Sequence, residues 1–97
     1  MKIEILDEAQ QDLIDGHRFY ERQSSGLGDY FTNSMFADIE SLRLFAGIHE
    51  RHWGYHRLLA RRFPFAVYYT LSGDLVRVYA VLDCRRNPGF IEARLSG

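Results

Sequence analysis

The stretch HRLLARRFPFAVYY (56–69) sets His56, Arg57, Arg61 and Arg62 against a run of aliphatic and aromatic side chains, and VYAVLDCRRNP (78–88) adds Tyr79, Asp83, Cys84, Arg85 and Arg86. Guanidinium groups are permanently charged and offer forks of donors that match the paired oxygens of phosphate or carboxylate. With Arg77 between them, the two stretches hold cations together with groups able to carry a proton: His56, Tyr79 and Asp83. Two readings stand side by side. The arginines line a site that holds nucleic acid and cuts it, or they are the charged, wet face of a sheet, paired with acids such as Asp83 or meeting an acidic protein.

The other reactive residue types have plainer roles. His17, His49 and His52 read as surface or packing histidines, and no pair has companions at metal-ligand spacing, so no metal and no cofactor is expected. Cys84 sits next to Arg85, which would lower a thiol pKa, but with no base beside it the small structural cysteine is preferred. Phe63, Phe65, Tyr68 and Tyr69 resemble a base-stacking platform and are assigned instead to core and sheet packing. Trp53 either plugs the end of the core or meets a partner.

The elements that position these residues follow from periodicity. Residues 1–6 alternate as a short strand, with Ile3 and Ile5 on one face. Asp7 is placed to cap a helix with Gln10 in a capping box, and Ala9, Leu13, Gly16 and Tyr20 form one helical stripe that ends by Arg22 or Gln23. QSSGLG (23–28) is a turn, and Phe31, Met35, Ile39 and Leu42 start a second period, so two helices form a hairpin whose close approach accounts for Gly16. AGIHERHWG (46–54) reads as loop.

Three strands then fit 55–62, 65–71 and 75–83, with Phe63–Pro64 and the turn Ser72–Asp74 as breaks. Asn87 caps and Pro88 opens a terminal helix bearing Ile91 and Leu95. The expected fold is α+β, in the order β-α-α-β-β-β-α, with the helical hairpin on one face of a mainly antiparallel sheet and a short C-terminal helix.

Parity sorts the strand side chains into two sets. Leu58 and Ala60 join Val76, Val78, Ala80 and Leu82 toward the helices, while Arg57, Leu59, Arg61, Leu75, Arg77, Tyr79, Val81 and Asp83 lie opposite. His56 falls on the face away from Arg57, which argues against a site centred on it.

At 97 residues and 46% hydrophobic content the chain suits a single domain, residues 1–97. The lone cysteine and the polar start MKIEILDEAQ point to a reducing cytoplasm with no membrane contact. The net charge of −1 conceals a division: residues 1–50 hold four cations against ten acids, and residues 51–97 hold eight against three. Such asymmetry suits a surface that meets a polyanion or an acidic protein segment.

DLIDGHRFYERQSSGLGDYF (12–31), HRLLARRFPFAVYY and VYAVLDCRRNP together resemble the small toxins of the RelE/ParE superfamily, the toxic halves of bacterial type II toxin-antitoxin modules, over nearly the whole chain. The resemblance implies the same element order, a cognate antitoxin whose flexible segment wraps the toxin in a hetero-oligomer, contact with DNA only through that antitoxin, and one of two activities. RelE-like members are ribosome-dependent mRNA endonucleases, and ParE-like members poison DNA gyrase by binding it. If the chain is a nuclease, the residues to carry the chemistry are Arg57, Arg61, Arg77, Tyr79 and Asp83.

Departures favour the ParE-like side. Phe90 stands where a nuclease would want a hydroxyl or imidazole, Lys2 is the only lysine, and the chain is slightly acidic where ribosome-directed nucleases are strongly basic. The expected binding surface for antitoxin or target is then Arg57, Leu59, Arg61, Arg77, Tyr79, Arg85, Arg86 and Trp53. A degenerate, non-toxic antitoxin-binding module is the third reading.

Overall fold

A computed structural model describes residues 1–96. Strand β1 (Lys2–Ile5) passes through the single residue Leu6 into helix α1 (Asp7–Gln23). The expected cap does not form, because Asp7 is already helical and Leu6 holds the cap position in extended conformation, its N–H bonded to the Val78 carbonyl at 3.0 Å. Gln10 reaches back instead, donating to the Ile5 carbonyl at 2.7 Å. Asp7 and Glu8 still place negative charge on the first turn, where the helix dipole favours it.

Ala9, Leu13, Gly16 and Tyr20 are the buried residues of α1, as their spacing requires. Helix α2 (Leu27–Glu40) answers with Phe31, Met35 and Ile39, and Leu42 follows them into the core from the one-turn helix α3 (Leu42–Phe45). The hairpin turn is fixed by Glu21, whose carboxylate accepts the N–H groups of Gly26 at 3.0 Å and Gly28 at 2.9 Å and so satisfies the open start of α2. Gly16 is where the helices meet: a Cβ there would lie 2.5 Å from the Phe31 ring.

The sheet runs β1-β5-β4-β3-β2, where β2 is Arg51–His52, β3 Tyr55–Leu59, β4 Phe65–Ser72 and β5 Leu75–Asp83. β1 is parallel to β5 and the remaining pairs are antiparallel. The expected loop 46–54 therefore contains a short edge strand. β3 stops three residues sooner than expected: the Ala60 N–H still bonds Phe65 at 2.8 Å, but the Arg61 N–H turns to the buried Asp38 carboxylate of α2 at 3.1 Å. Helix α4 (Pro88–Ser96) begins as expected, with the Asn87 side chain accepting the Gly89 N–H at 2.7 Å.

The alternation in β5 breaks at its middle. Val78 pairs with Tyr69 and Ala80 with Tyr68, so Tyr79 is an extra, unpaired residue of a β-bulge. Val76, Val78 and Val81 join the core under the helical hairpin, with Leu58 and Ala60 packed on it as parity required. Ala80 and Leu82 are instead on the far face, in a second apolar cluster with Ala66, Tyr68, Ile91 and Leu95. The expected apolar row therefore divides between two cores, and the far face is partly covered by α4. Among the described residues no helix is long and apolar enough to cross a membrane.

Candidate interaction site

The far face carries Arg57, opposite Tyr68 on β4, and Arg77, opposite Glu4 on β1. Arg77 Nε lies 3.4 Å from the Glu4 carboxylate, so part of its charge is answered within the sheet. Tyr79 turns its ring to Tyr55, centroids 5.0 Å apart. Burial raises the pKa of the Tyr68 hydroxyl, against an opposing pull from the Arg57 guanidinium beside it. Leu59 is 55% exposed at the end of β3.

Other expected members do not join this group. Arg61 lies beyond the end of β3, in the turn tied to α2 by Asp38. Asp83, shifted in phase by the bulge, pairs with the core residue Phe65 and acts on Tyr20 of α1. Its carboxylate is gripped by Arg85, with Nη2 at 2.6 Å and the backbone N–H at 2.8 Å. That hydrogen bonding holds the Asp83 pKa below the usual carboxylate range despite some desolvation, and it raises that of Arg85. Arg86 lies over the Phe90 ring, 3.8 Å from its centroid.

The five residues a nuclease would use are therefore not one constellation. Cys84 is also unsuited to nucleophilic work: burial raises its thiol pKa, and Arg57 only partly counters this. The lowered value that its neighbour Arg85 suggests is not found: burial outweighs Arg57, and the Asp83 carboxylate adds to the rise. Phe65, Tyr68 and Tyr69 are buried and Phe63 packs on the core, which leaves no stacking platform among them.

Sequence reasoning missed two polar clusters. His56, on the helix side as parity placed it, stacks on Tyr69 with ring centroids 5.1 Å apart, and its Nδ1 donates to the His49 carbonyl at 2.7 Å. The buried Tyr69 hydroxyl accepts the Gly47 N–H at 2.9 Å and meets His49 Nδ1 at 2.5 Å, the acceptor its own proton needs. This latch holds residues 47–49 on the sheet. In the second cluster Asp12 of α1 accepts two hydrogen bonds from Arg94 of α4, both 2.8 Å, and the Val81 N–H at 2.9 Å. The sequence clue to this clamp was an acid at position 12, next to the buried stripe, and an arginine at 94, next to buried Leu95.

The latch predicts a pH dependence. Burial first, then repulsion from His56, lowers the His49 pKa below its ordinary 6.5, so the unfolded chain binds more protons than the folded one as pH falls through that value. His49 therefore contributes fully above about pH 6.5 and progressively less below it, as pH approaches its lowered folded value. Urea unfolding between pH 7.5 and 5 should show this loss, and His49→Gln should flatten it. Tyr69→Phe should cost about 1 kcal/mol at neutral pH.

No protein-family model and no curated protein matches the chain. Among solved structures, a chain of the chromosomal ParDE TA system from P. aeruginosa superposes with a TM-score of 0.70, over 84% of this chain and 92% of that one, at 16% identity. Identity this low speaks for architecture alone. The chain shares the α+β fold of that ParDE-system chain.

Proposed function

We propose that the chain, acting as one domain over residues 1–97, is the toxin of a cytoplasmic type II toxin-antitoxin pair, ParE-like in inhibiting DNA gyrase by protein binding and neutralised by a cognate antitoxin. The observation that carries this reading is the fold shared with the ParDE chain. The site geometry supports binding over RNA cleavage. Asp83 is bound to Arg85, Arg77 is paired with Glu4, and His56 lies on the opposite face from Arg57. The Tyr68 hydroxyl beside Arg57 is buried and hard to ionise, so Arg57 has no ready proton-transfer partner there.

An antitoxin segment has surface to occupy. A groove of about 640 Å3 between α1 and α2 is lined by Ile5, Leu13, Ile14 and Phe36, of which Ile14 and Phe36 are exposed. A flexible partner gains affinity by laying apolar side chains into such a groove and acidic ones on unpaired arginines.

Charge reversal separates the arginines. Arg57→Glu should weaken antitoxin binding by about tenfold or more, and Arg77→Glu by less, because Glu4 already offsets Arg77. Wild-type binding by both variants in calorimetric titration would remove the arginine face from the mechanism.

Induction in cells tests the function. Growth arrest with a DNA-damage response, relieved by co-expression of the adjoining antitoxin reading frame, is expected. Cleaved messages with intact DNA would replace gyrase with the ribosome, and absence of any growth defect would leave only a degenerate antitoxin-binding module.

A further inference from the structure

Trp53 is the one non-glycine residue of the described chain with positive φ, at 54°, and Gly54 beside it has φ 86°. The two residues alone connect β2 to β3, and both left-handed centres match the type I′ hairpin, whose first position favours Asn, Asp or Gly. An indole there is strained, because its Cβ crowds the backbone. The core does not offset that strain: the side chain is 43% exposed and belongs to neither apolar cluster. Its ring neighbours are Tyr68, centroids 6.5 Å apart, and His52, 6.2 Å apart. Strain held at an exposed aromatic points toward use.

The surroundings lean to positive charge. Residues 51–62, RHWGYHRLLARR, hold four arginines and no acid, and the one acid at the hairpin, Glu50, lies 3.7 Å from His52 Nε2 rather than on an arginine. Among the described residues, the arginine ion pairs of the second half use Arg77, Arg85 and Arg94, so Arg51, Arg57, Arg61 and Arg62 have no acidic partner. Tyr68 is the shared neighbour of Trp53 and Arg57. His52 Nε2 is buried without a hydrogen-bond partner, on the residue beside the indole. An exposed tryptophan with a nearby unpaired arginine is the composition of a protein-binding anchor.

We propose that Trp53 is the anchor by which the β2–β3 hairpin holds an acidic segment of the antitoxin, a contact that rests on the function proposed above. The segment seats an apolar side chain against the indole and sets carboxylates on Arg57 and its unpaired neighbours. Single-stranded RNA fits less well. Tyr68, the aromatic next to Trp53, is buried, so successive bases would find no second exposed ring there to stack on.

The chain has a single tryptophan, so its fluorescence reports on this residue alone. The test uses the full-length chain with the polypeptide of the adjoining reading frame. Complex formation should shift Trp53 emission to the blue and block quenching by acrylamide, with affinity falling as salt rises. Trp53→Asn should bind at least tenfold more weakly yet unfold at higher denaturant, because asparagine suits the turn. A complex in which Trp53 stays quenchable and Trp53→Asn binds as wild type overturns the anchor and leaves the antitoxin reading intact. No complex at all overturns both. Quenching of the indole by a uridine dodecamer at concentrations where the polypeptide does not alter it would transfer the site to nucleic acid.

Discussion

Asp12→Ala should lower stability by about 2–3 kcal/mol, which for a domain of this size is a fall of roughly 10–20 °C in Tm. The carboxylate is 11% exposed and its partner Arg94 23% exposed, so the magnitude lies below that of a fully buried ion pair. Three groups lose their acceptor together: both terminal nitrogens of Arg94 and the Val81 N–H beside the bulge. Since Arg94 is on α4 and Val81 on β5, the change should also loosen α4 over Ala80 and Leu82. Hydrogen exchange of residues 88–96 should rise well before global unfolding. Asp12→Asn, which keeps an acceptor for Val81 but not the charge, should recover part of the loss. An unchanged Tm for Asp12→Ala would show that α4 is held by its apolar face alone.

Gly16→Ala and Gly28→Ala should each destabilise by about 1–3 kcal/mol. At Gly16, inside α1, helix propensity alone predicts the reverse, a gain approaching 1 kcal/mol for alanine, and at Gly28, in the first turn of α2, a smaller one, so the sign decides which effect rules. At Gly16 the new Cβ would fall 2.5 Å from the Phe31 ring. That ring cannot swing away, because Tyr20, Phe63 and Phe65 surround it with centroids 4.9–5.1 Å distant. At Gly28 the obstacle is backbone, the His17 carbonyl oxygen at 2.7 Å, so the helices themselves must separate. Chemical denaturation showing either variant more stable than the parent would mean that the hairpin is looser than described.

The helical hairpin was legible because its signal is local and periodic. All of Ala9, Leu13, Gly16, Tyr20, Phe31, Met35, Ile39 and Leu42 are buried, and the single glycine in the first stripe marks the crossing. β5 was misread past its midpoint for a physical reason. Val76, Val78, Ala80 and Leu82 make an unbroken alternating row, and no glycine or proline announces the bulge at Tyr79. The second core offers the explanation, since Ala80 and Leu82 find apolar cover from Ile91 and Leu95, which lie far away in sequence. β2 and α3, of two and four residues, are too short for periodicity to detect.

The site was legible in part. Arg57, Arg77 and Tyr79 share the far face, as alternation placed them: Arg57 is on the regular strand β3, and in β5 Arg77 precedes the bulge and Tyr79 occupies it. Asp83 follows it and changes face. Arg61 left the group because Asp38, 23 residues earlier, captures its N–H, a contact no local pattern encodes. The strain at Trp53 was equally hidden: a tryptophan in a loop gives no sign of its φ, although the following glycine is the usual partner in such a turn.

The central claim is that this fold acts here by binding a protein target and not by cutting RNA. Its most direct test adds the purified chain to DNA gyrase and relaxed plasmid, with translating ribosomes and a message assayed in parallel. Loss of supercoiling at near-stoichiometric amounts of the chain, restored by the proposed antitoxin and accompanied by intact message, is the expected result. Unaffected supercoiling with message cut on the ribosome would contradict it.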